Sequence, residues 1–327
     1  MSTVFVRFPA PQGDWHENRE LDEAALQRSP LLERLLTRAD RADVEDWRLA
    51  AYRVLAQGSE DPPAVGAAAL HAALGTGAAG GAGVNSATSA FVATPVHCVA
   101  TMTSVRLPPG GLLRLEGAEA ALLATDFNRV FADGGQRLVA APDGSVCCVF
   151  DRPVDATSAD PVGVVGSDIH GFLPSGPDGP MLRGFMSEIE MWLFEHPVNQ
   201  RRATLGTPPI TGLWLWGGGP TLSRLPTLRG SIVGTDPLFG AWPELAVPPR
   251  FGGDREPVSV VIMVADLPGS DAWRAAEVSW IVPALDSLRT RRIESLELSA
   301  GGRRYRLTAR WRWRLWRRSR PWWEFFT

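Results

Sequence analysis

The chain has 327 residues, 45% hydrophobic and 21% charged, a balance that suits one or two folded domains and excludes a disordered polypeptide. The net charge of −3 argues against a dedicated nucleic-acid binder. All 33 basic residues are arginine, which removes a P-loop lysine, a Schiff-base lysine and a protein-kinase lysine together.

Three cysteines, Cys98, Cys147 and Cys148, make neither a disulfide framework nor a CxxC metal site, and they point to a reducing compartment. The first residues carry no long apolar run after a basic start, and no stretch of 18 apolar residues follows. A cytoplasmic protein is expected.

Residues 1–90 read as a helical region with a Gly/Ala-rich loop, after a short apolar strand at Val4–Phe8. Ser29-Pro30 is a cap followed by an N1 proline, opening a helix through LLERLLTRA. Asp43 and Asp46 open a second helix with Val44, Trp47, Val54 and Leu55 on its apolar side. Pro63 to Leu74 is an alanine-rich third helix. The GTGAAGGAG that follows contains GxGxxG at Gly75, Gly77 and Gly80, but after a helix rather than a strand, so it reads as a surface loop.

Residues 91–160 read as a small α+β insert: strands at PVHCVA, SVRL and LLRL, a helix at 116–135, then QRLVAA and VCCVF around a PDGS turn. The helix places Leu122, Leu123, Phe127, Val130 and Phe131 on one side. His97 and Cys98 fall on a half-buried strand, where a structural role is expected.

Residues 161–327 read as an α/β region. The loop GSDIHGFLPSGPDGP offers Asp168 and His170 to a ligand. Pro180 opens a helix burying Met181, Phe185, Ile189, Trp192 and Leu193, which His196-Pro197 ends. Leu213–Trp216 is a short buried strand, with Gly217–Gly219 as a loop after it. VSVVIMVAD at 258–266 reads as an interior parallel strand ending in an acid. A helix from Asp271 is kinked by Pro283. The hairpin IESLELSA-GG-RRYRLTARWRWRL alternates Tyr305, Leu307, Ala309, Trp311, Trp313 and Leu315 with Arg304, Arg306, Arg310, Arg312 and Arg314. Strict alternation favours tryptophans on a core and arginines outside. The Arg/Trp-rich 303–323 could instead contact nucleic acid or an anionic membrane.

Five scattered histidines, His16, His71, His97, His170 and His196, are thin material for a two-metal site, and GxSxG is absent. Glu188 and Glu190 lie two apart on a helix and point to different sides.

The segment HPVNQRRATLGTPPITGLWLWGGG at 196–219 resembles the HPxN, arginine, PxN and WxWGxG signature of bacterial regulatory proteins of the RpfE type. More distantly it is similar to archaeal-type cofactor-independent phosphoglycerate mutases of the alkaline phosphatase superfamily. The resemblance runs from about Phe91 to Ala300. It implies an α/β fold, an alkaline-phosphatase-like partial sheet with helices on both faces plus the small α+β insert. The mutases' serine nucleophile and early aspartate have no counterpart in residues 1–90. ADLPGSDAW supplies Asp266 without a histidine, LELSAGGRR stands where an Asp-His pair is expected, no histidine follows His196, and Thr211 replaces the second Asn of the signature.

The resemblance therefore implies the substrate-side scaffold without metal, nucleophile or cofactor: a non-catalytic relative that regulates or binds a ligand. The candidate binding residues are His196, Asn199, Arg201, Arg202, Gly217, Gly218, Gly219, Asp266 and His170. Arginines and backbone N–H groups suit a small phosphorylated metabolite; a protein partner is the other expectation. Equally, His196 and Asn199 could cap a helix and pin the following loop. Two further function classes stay open: a metal-dependent phosphotransferase or phosphatase, and a protein- or nucleic-acid-interaction module built on the Arg/Trp tail.

Overall fold

The structure, a computed structural model, describes residues 2–8, 28–42, 46–57, 61–75, 88–249, 251, 259–264, 270–300, 303–311, 314 and 318–325. It is an α/β fold with a mixed central sheet and a separate antiparallel sheet, each in its own compact unit. One unit takes the described residues up to 62 and from 226 onward; the other takes 63–225. Strand pairing in the second unit joins residues of the 91–160 segment to the 161–327 segment, because β3 (Ser89–Val96) lies beside β8 (Gly212–Pro220).

The first unit is organised on β1 (Thr3–Arg7), flanked in parallel by β10 (Val260–Met263) and β11 (Ser295–Ala300). Val4, Phe5 and Val6 are all fully buried. Successive strand residues point to opposite faces, so both faces of the sheet are covered there, as the unbroken apolar runs require. β9 (Ser231–Val233) extends the parallel set beside β10. On the other side β12 (Arg303–Thr308) returns antiparallel to β11, and β2 (Asp40–Ala42) closes that edge. β2 has no apolar alternation to announce it.

Several expectations change in this unit. Helix α1 (Pro30–Arg38) starts where Ser29-Pro30 predicts, but the Ser29 side chain caps nothing; its Oγ accepts from Trp273 Nε1 at 3.1 Å. Helix α2 (Trp47–Ala56) is capped by Asp46, whose carboxylate accepts from the Arg48 N–H at 2.7 Å; Asp43 and Val44 lie outside the described residues. The strand expected through Leu315 ends at Thr308, and the chain then folds back so that Trp322, Trp323 and Phe325 are buried in a 3-10 turn (Trp322–Phe325).

The second unit is the antiparallel sheet β6–β7–β3–β8, with β6 at Gln136–Ala140 and β7 at Val146–Phe150. Helix α3 (Val65–Gly75) packs Leu70 and Ala73 against Ala90, Val139, Cys147 and Val149 on one face. Helices α4 (Gly117–Phe131) and α5 (Gly179–Phe194) bury Leu123, Phe127, Leu182, Phe185, Ile189 and Leu193 with Phe91, Leu138, Cys148 and Phe150 on the other. The adjacent cysteines thus serve opposite faces, which is the period-2 rule in its simplest form. Val130, expected on the apolar side of α4, is 56% exposed, whereas the next residue, Phe131, packs on Phe185 and Trp192.

The main strand here, SAFVATPV, begins upstream of the expected PVHCVA; β4 (Val99–Ala100) and β5 (Val105–Arg106) form only a two-residue ribbon. LLRL makes no strand, only a single bridge between Leu112 and Val96. The GTGAAGGAG loop, apart from Gly75 in α3, lies outside the described residues.

In the first unit, α7 (Asp271–Ala276) is capped by Ser270, whose Oγ accepts from the Trp273 N–H at 3.1 Å, rather than by Asp271. It passes through a π-helical turn (Glu277–Ile281) into α8 (Val282–Arg289). Pro283, where a kink was expected, has no N–H to give, and the π-helical turn stands just before it.

Candidate functional site

His196-Pro197 does end α5, and it immediately begins another helix, α6 (Pro197–Thr204). Proline suits a first helical position and His196 stands before it as the N-cap, its Nδ1 accepting from the Val198 N–H at 3.2 Å. That acceptor role puts the neutral ring's proton on Nε2, which faces Asp126 Oδ2 at 3.5 Å. The imidazole is 5% exposed and lies against the Trp192 ring at 4.5 Å. Burial pushes its pKa below the usual 6.5, against the opposing pull of Asp126. Protonation would also have to occur at Nδ1, turning the cap acceptor into a donor facing the Val198 N–H.

Asn199 spends its whole amide on backbone. Nδ2 donates to the Leu193 carbonyl at 2.8 Å and the Ile210 carbonyl at 2.9 Å, and Oδ1 accepts from the Ile210 N–H at 2.8 Å. It therefore ties the end of α5 to the entry of β8. Arg202 is 8% exposed; its Nε donates to the Pro208 carbonyl at 2.7 Å and its Nη1 to Glu119 Oε1 at 2.9 Å, on α4. Thr207 closes the turn by donating to the Arg202 carbonyl. Arg201, one residue earlier, is exposed.

Gly217–Gly219 do not form a loop. They continue β8, and the register slips there, so that Phe91 sits opposite the extra residue of a β-bulge. Gly217 has φ +63°, and a Cβ on Gly218 would lie 2.0 Å from the Phe91 ring. The glycines admit an aromatic ring and a bulge. Six residues of strand, about 20 Å at the usual rise, separate Gly218 from Gly212 near Asn199. The expected pocket residues His196, Asn199 and Arg202 are brought together, and Gly217–Gly219 are held at the other end of the strand.

His170 is exposed in a short 3-10 turn, with its N–H donated to Asp168 Oδ1 at 2.9 Å. Asp266 lies outside the described residues. Among the described residues no three His, Cys, Asp or Glu side chains converge as a metal ion requires. His97 is tied through Nδ1 to the Pro209 carbonyl at 3.0 Å. The thiols are held protonated by burial, Cys98 at about 11 and Cys147 at about 12, with Cys148 higher still. Among the described residues no helix is long and apolar enough to cross a membrane.

Asp126 and Glu119 are the members of this cluster that sequence reasoning missed. Their helix was evident, but nothing local says that α4 meets α6.

Comparison with known proteins gives a distant similarity to phosphoglycerate mutases over part of the chain. No family model matches the chain. It is 32% identical over 109 residues to the 2,3-bisphosphoglycerate-independent phosphoglycerate mutase of Methanothrix thermoacetophila, spanning 30% of this chain and 28% of that protein. It is 29% identical over 126 residues to the corresponding mutase 2 of Methanothermobacter thermautotrophicus, 36% of this chain and 31% of that one. The match thus spans under a third of the length of these curated relatives. Among solved structures, the cofactor-independent phosphoglycerate mutase of Thermoplasma acidophilum aligns over 94% of this chain and 90% of its own, at 15% identity and a TM-score of 0.35. A protein of Pyrococcus horikoshii aligns over 91% and 81%, at 11% identity and a TM-score of 0.36. The similarity to archaeal cofactor-independent phosphoglycerate mutases is distant.

Proposed function

We propose that this phosphoglycerate-mutase-like protein acts without turnover, as a regulatory or ligand-binding relative of the RpfE type that takes a small phosphorylated metabolite, in the cytoplasm. The observation that supports this is the spending of Asn199 and Arg202. Their donors and acceptors go to the Leu193, Ile210 and Pro208 backbone and to Glu119, so the segment that resembles the mutase signature serves as scaffold. A buried polar cluster whose members are mostly paired with one another and with the backbone rigidifies a fold and leaves less for a substrate. The departures in the sequence, with no histidine after His196, point the same way.

The test is a coupled assay for interconversion of 3- and 2-phosphoglycerate by the purified chain with Mg, Mn, Co or Zn ions added in turn. No turnover above the metal-only blank is expected. Steady product formation with any of these ions, scaling with protein concentration, would overturn the reading and favour a metal-dependent phosphotransferase. Calorimetric titration with 3-phosphoglycerate tests the ligand half, with saturable heat expected.

A further inference from the structure

Helix α1 and the tail segment before the buried Trp322 line two adjoining clefts in the first unit. One, of about 330 Å³, is bordered by Arg34, Arg38 and Ser319; the other, of about 640 Å³, by Arg41, Arg318 and Arg320; Thr37 belongs to both. Arg34, Thr37, Arg38 and Arg41 are spaced i, i+3, i+4 and i+7, which places the helical members on one side of α1 and delivers Arg41 just beyond it on β2. Both volumes fall within the range of small-ligand sites.

Among the described residues five guanidinium groups border these clefts and no carboxylate does. Two acids close to them in sequence, Glu33 and Asp40, are engaged elsewhere. Glu33 is buried and takes two hydrogen bonds from Arg28, and Asp40 takes Arg314 at 2.6 Å. Arg38 lies over the Trp311 ring at 5.7 Å. Among the described residues Arg34, Arg41, Arg318 and Arg320 have no carboxylate partner. In a chain of net charge −3 this is a local concentration rather than general basicity. Gathered like charges repel, and a bound polyanion relieves that repulsion while using the bidentate geometry that guanidinium offers to phosphate.

We propose that these clefts form one binding site for a small soluble anion carrying two or more phosphate groups. A single phosphate is satisfied by two guanidinium forks, and the arginines here extend over both clefts. Among the described residues of the tail, the aromatic side chains do not offer the stacking faces that single-stranded nucleic acid needs: Trp322, Trp323 and Phe325 are buried and Trp311 is covered by Arg38. The site does not depend on whether the chain turns over a phosphoglycerate.

The experiment is calorimetric titration of the full chain with sodium tripolyphosphate and, separately, inorganic phosphate, at low and moderate salt. Tripolyphosphate should bind one per chain, at least about tenfold tighter than phosphate, and weaken as salt rises. The pair Arg318→Gln and Arg320→Gln should lower its affinity about tenfold or more, and so should Arg34→Gln with Arg41→Gln. All four residues are exposed, so melting curves should stay close to the unaltered protein. Arg289→Gln, which removes an exposed pair with Asp286, should leave binding unchanged. Absence of heat with tripolyphosphate, or an equal loss in Arg289→Gln, overturns the site. So does binding of a single-stranded oligonucleotide or phosphatidylglycerol vesicles through these arginines that tripolyphosphate fails to displace.

Discussion

Asn199 and Ile210, eleven positions apart, hold each other by two hydrogen bonds, Nδ2 to the Ile210 carbonyl at 2.9 Å and the Ile210 N–H to Oδ1 at 2.8 Å. The side-chain amide copies what a neighbouring strand would offer, and it does so just before β8 begins. This pairing gives Asn199 a structural role that a change of side chain exposes. Asn199→Ala should lower the stability of the chain by about 2 kcal/mol, because backbone groups of Leu193 and Ile210 lose their partners. Asn199→Asp keeps the shape and the acceptor, loses both donors, and should be destabilised as well. Urea unfolding checks this; a change under 0.5 kcal/mol in both variants would contradict the staple.

His196 predicts a pH effect of definite sign. Its pKa in the folded chain is lowered, mainly by burial, so between the unfolded value near 6.5 and the folded value only the unfolded chain takes up the proton. The stability tied to the neutral ring is therefore complete above about pH 7. It is lost as pH falls from the unfolded value toward the folded one. His196→Asn keeps an N-cap acceptor and removes the titration. Urea unfolding from pH 8 to pH 5 should show the unaltered chain losing stability relative to the variant on the acid side. Parallel curves would show that His196 does not titrate in this way.

Arg202 and Glu119 should prove coupled. Both side chains are mostly shielded, with relative exposures of 10% and 19%, so solvent screens the pair less than a surface pair. A double-mutant cycle with Arg202→Met and Glu119→Gln should give a coupling of about 1–2 kcal/mol. Arg202→Lys should not restore stability, because a single ammonium cannot serve the Pro208 carbonyl and Glu119 in the fork geometry used here. A coupling near zero would mean that the contact contributes nothing.

Gly218→Ala should be destabilised by about 2 kcal/mol or more, because the new methyl would need the space held by the Phe91 ring. Phe91→Leu in the same chain should recover part of the loss by vacating that space. Thermal unfolding of the two single variants and the double variant decides it. Equal, additive losses would mean that the glycine is not there to admit the ring.

Much of the architecture was legible from period and punctuation. VFV and VVIM are unbroken apolar runs, and only strands covered on both faces read that way. DFNRVF and GFMSEIEMWLF repeat at helical spacing, and PDGS marks the β6–β7 turn without ambiguity. Pairing order was not legible, since the backbone bonds that set β1 between β10 and β11 join residues 256 and 292 positions apart. The candidate site divides in the same way. That His196 and Asn199 are suited to capping and pinning follows from their chemistry and from the proline between them.

What only the tertiary structure decided is where each polar group is spent. A sequence shows that Arg202, Arg34 and Arg318 are all arginine; Glu119 and the Pro208 carbonyl make the first a buried staple, while the others, with no carboxylate partner among the described residues, border a cleft. GGG likewise states freedom of conformation and no more. Its use, a bulge filled by Phe91 rather than a loop, depended on which strand came to lie beside it. Local composition determines the elements because helix and strand periods are local; the fate of a charge or a glycine is set by neighbours that the fold brings from elsewhere in the chain.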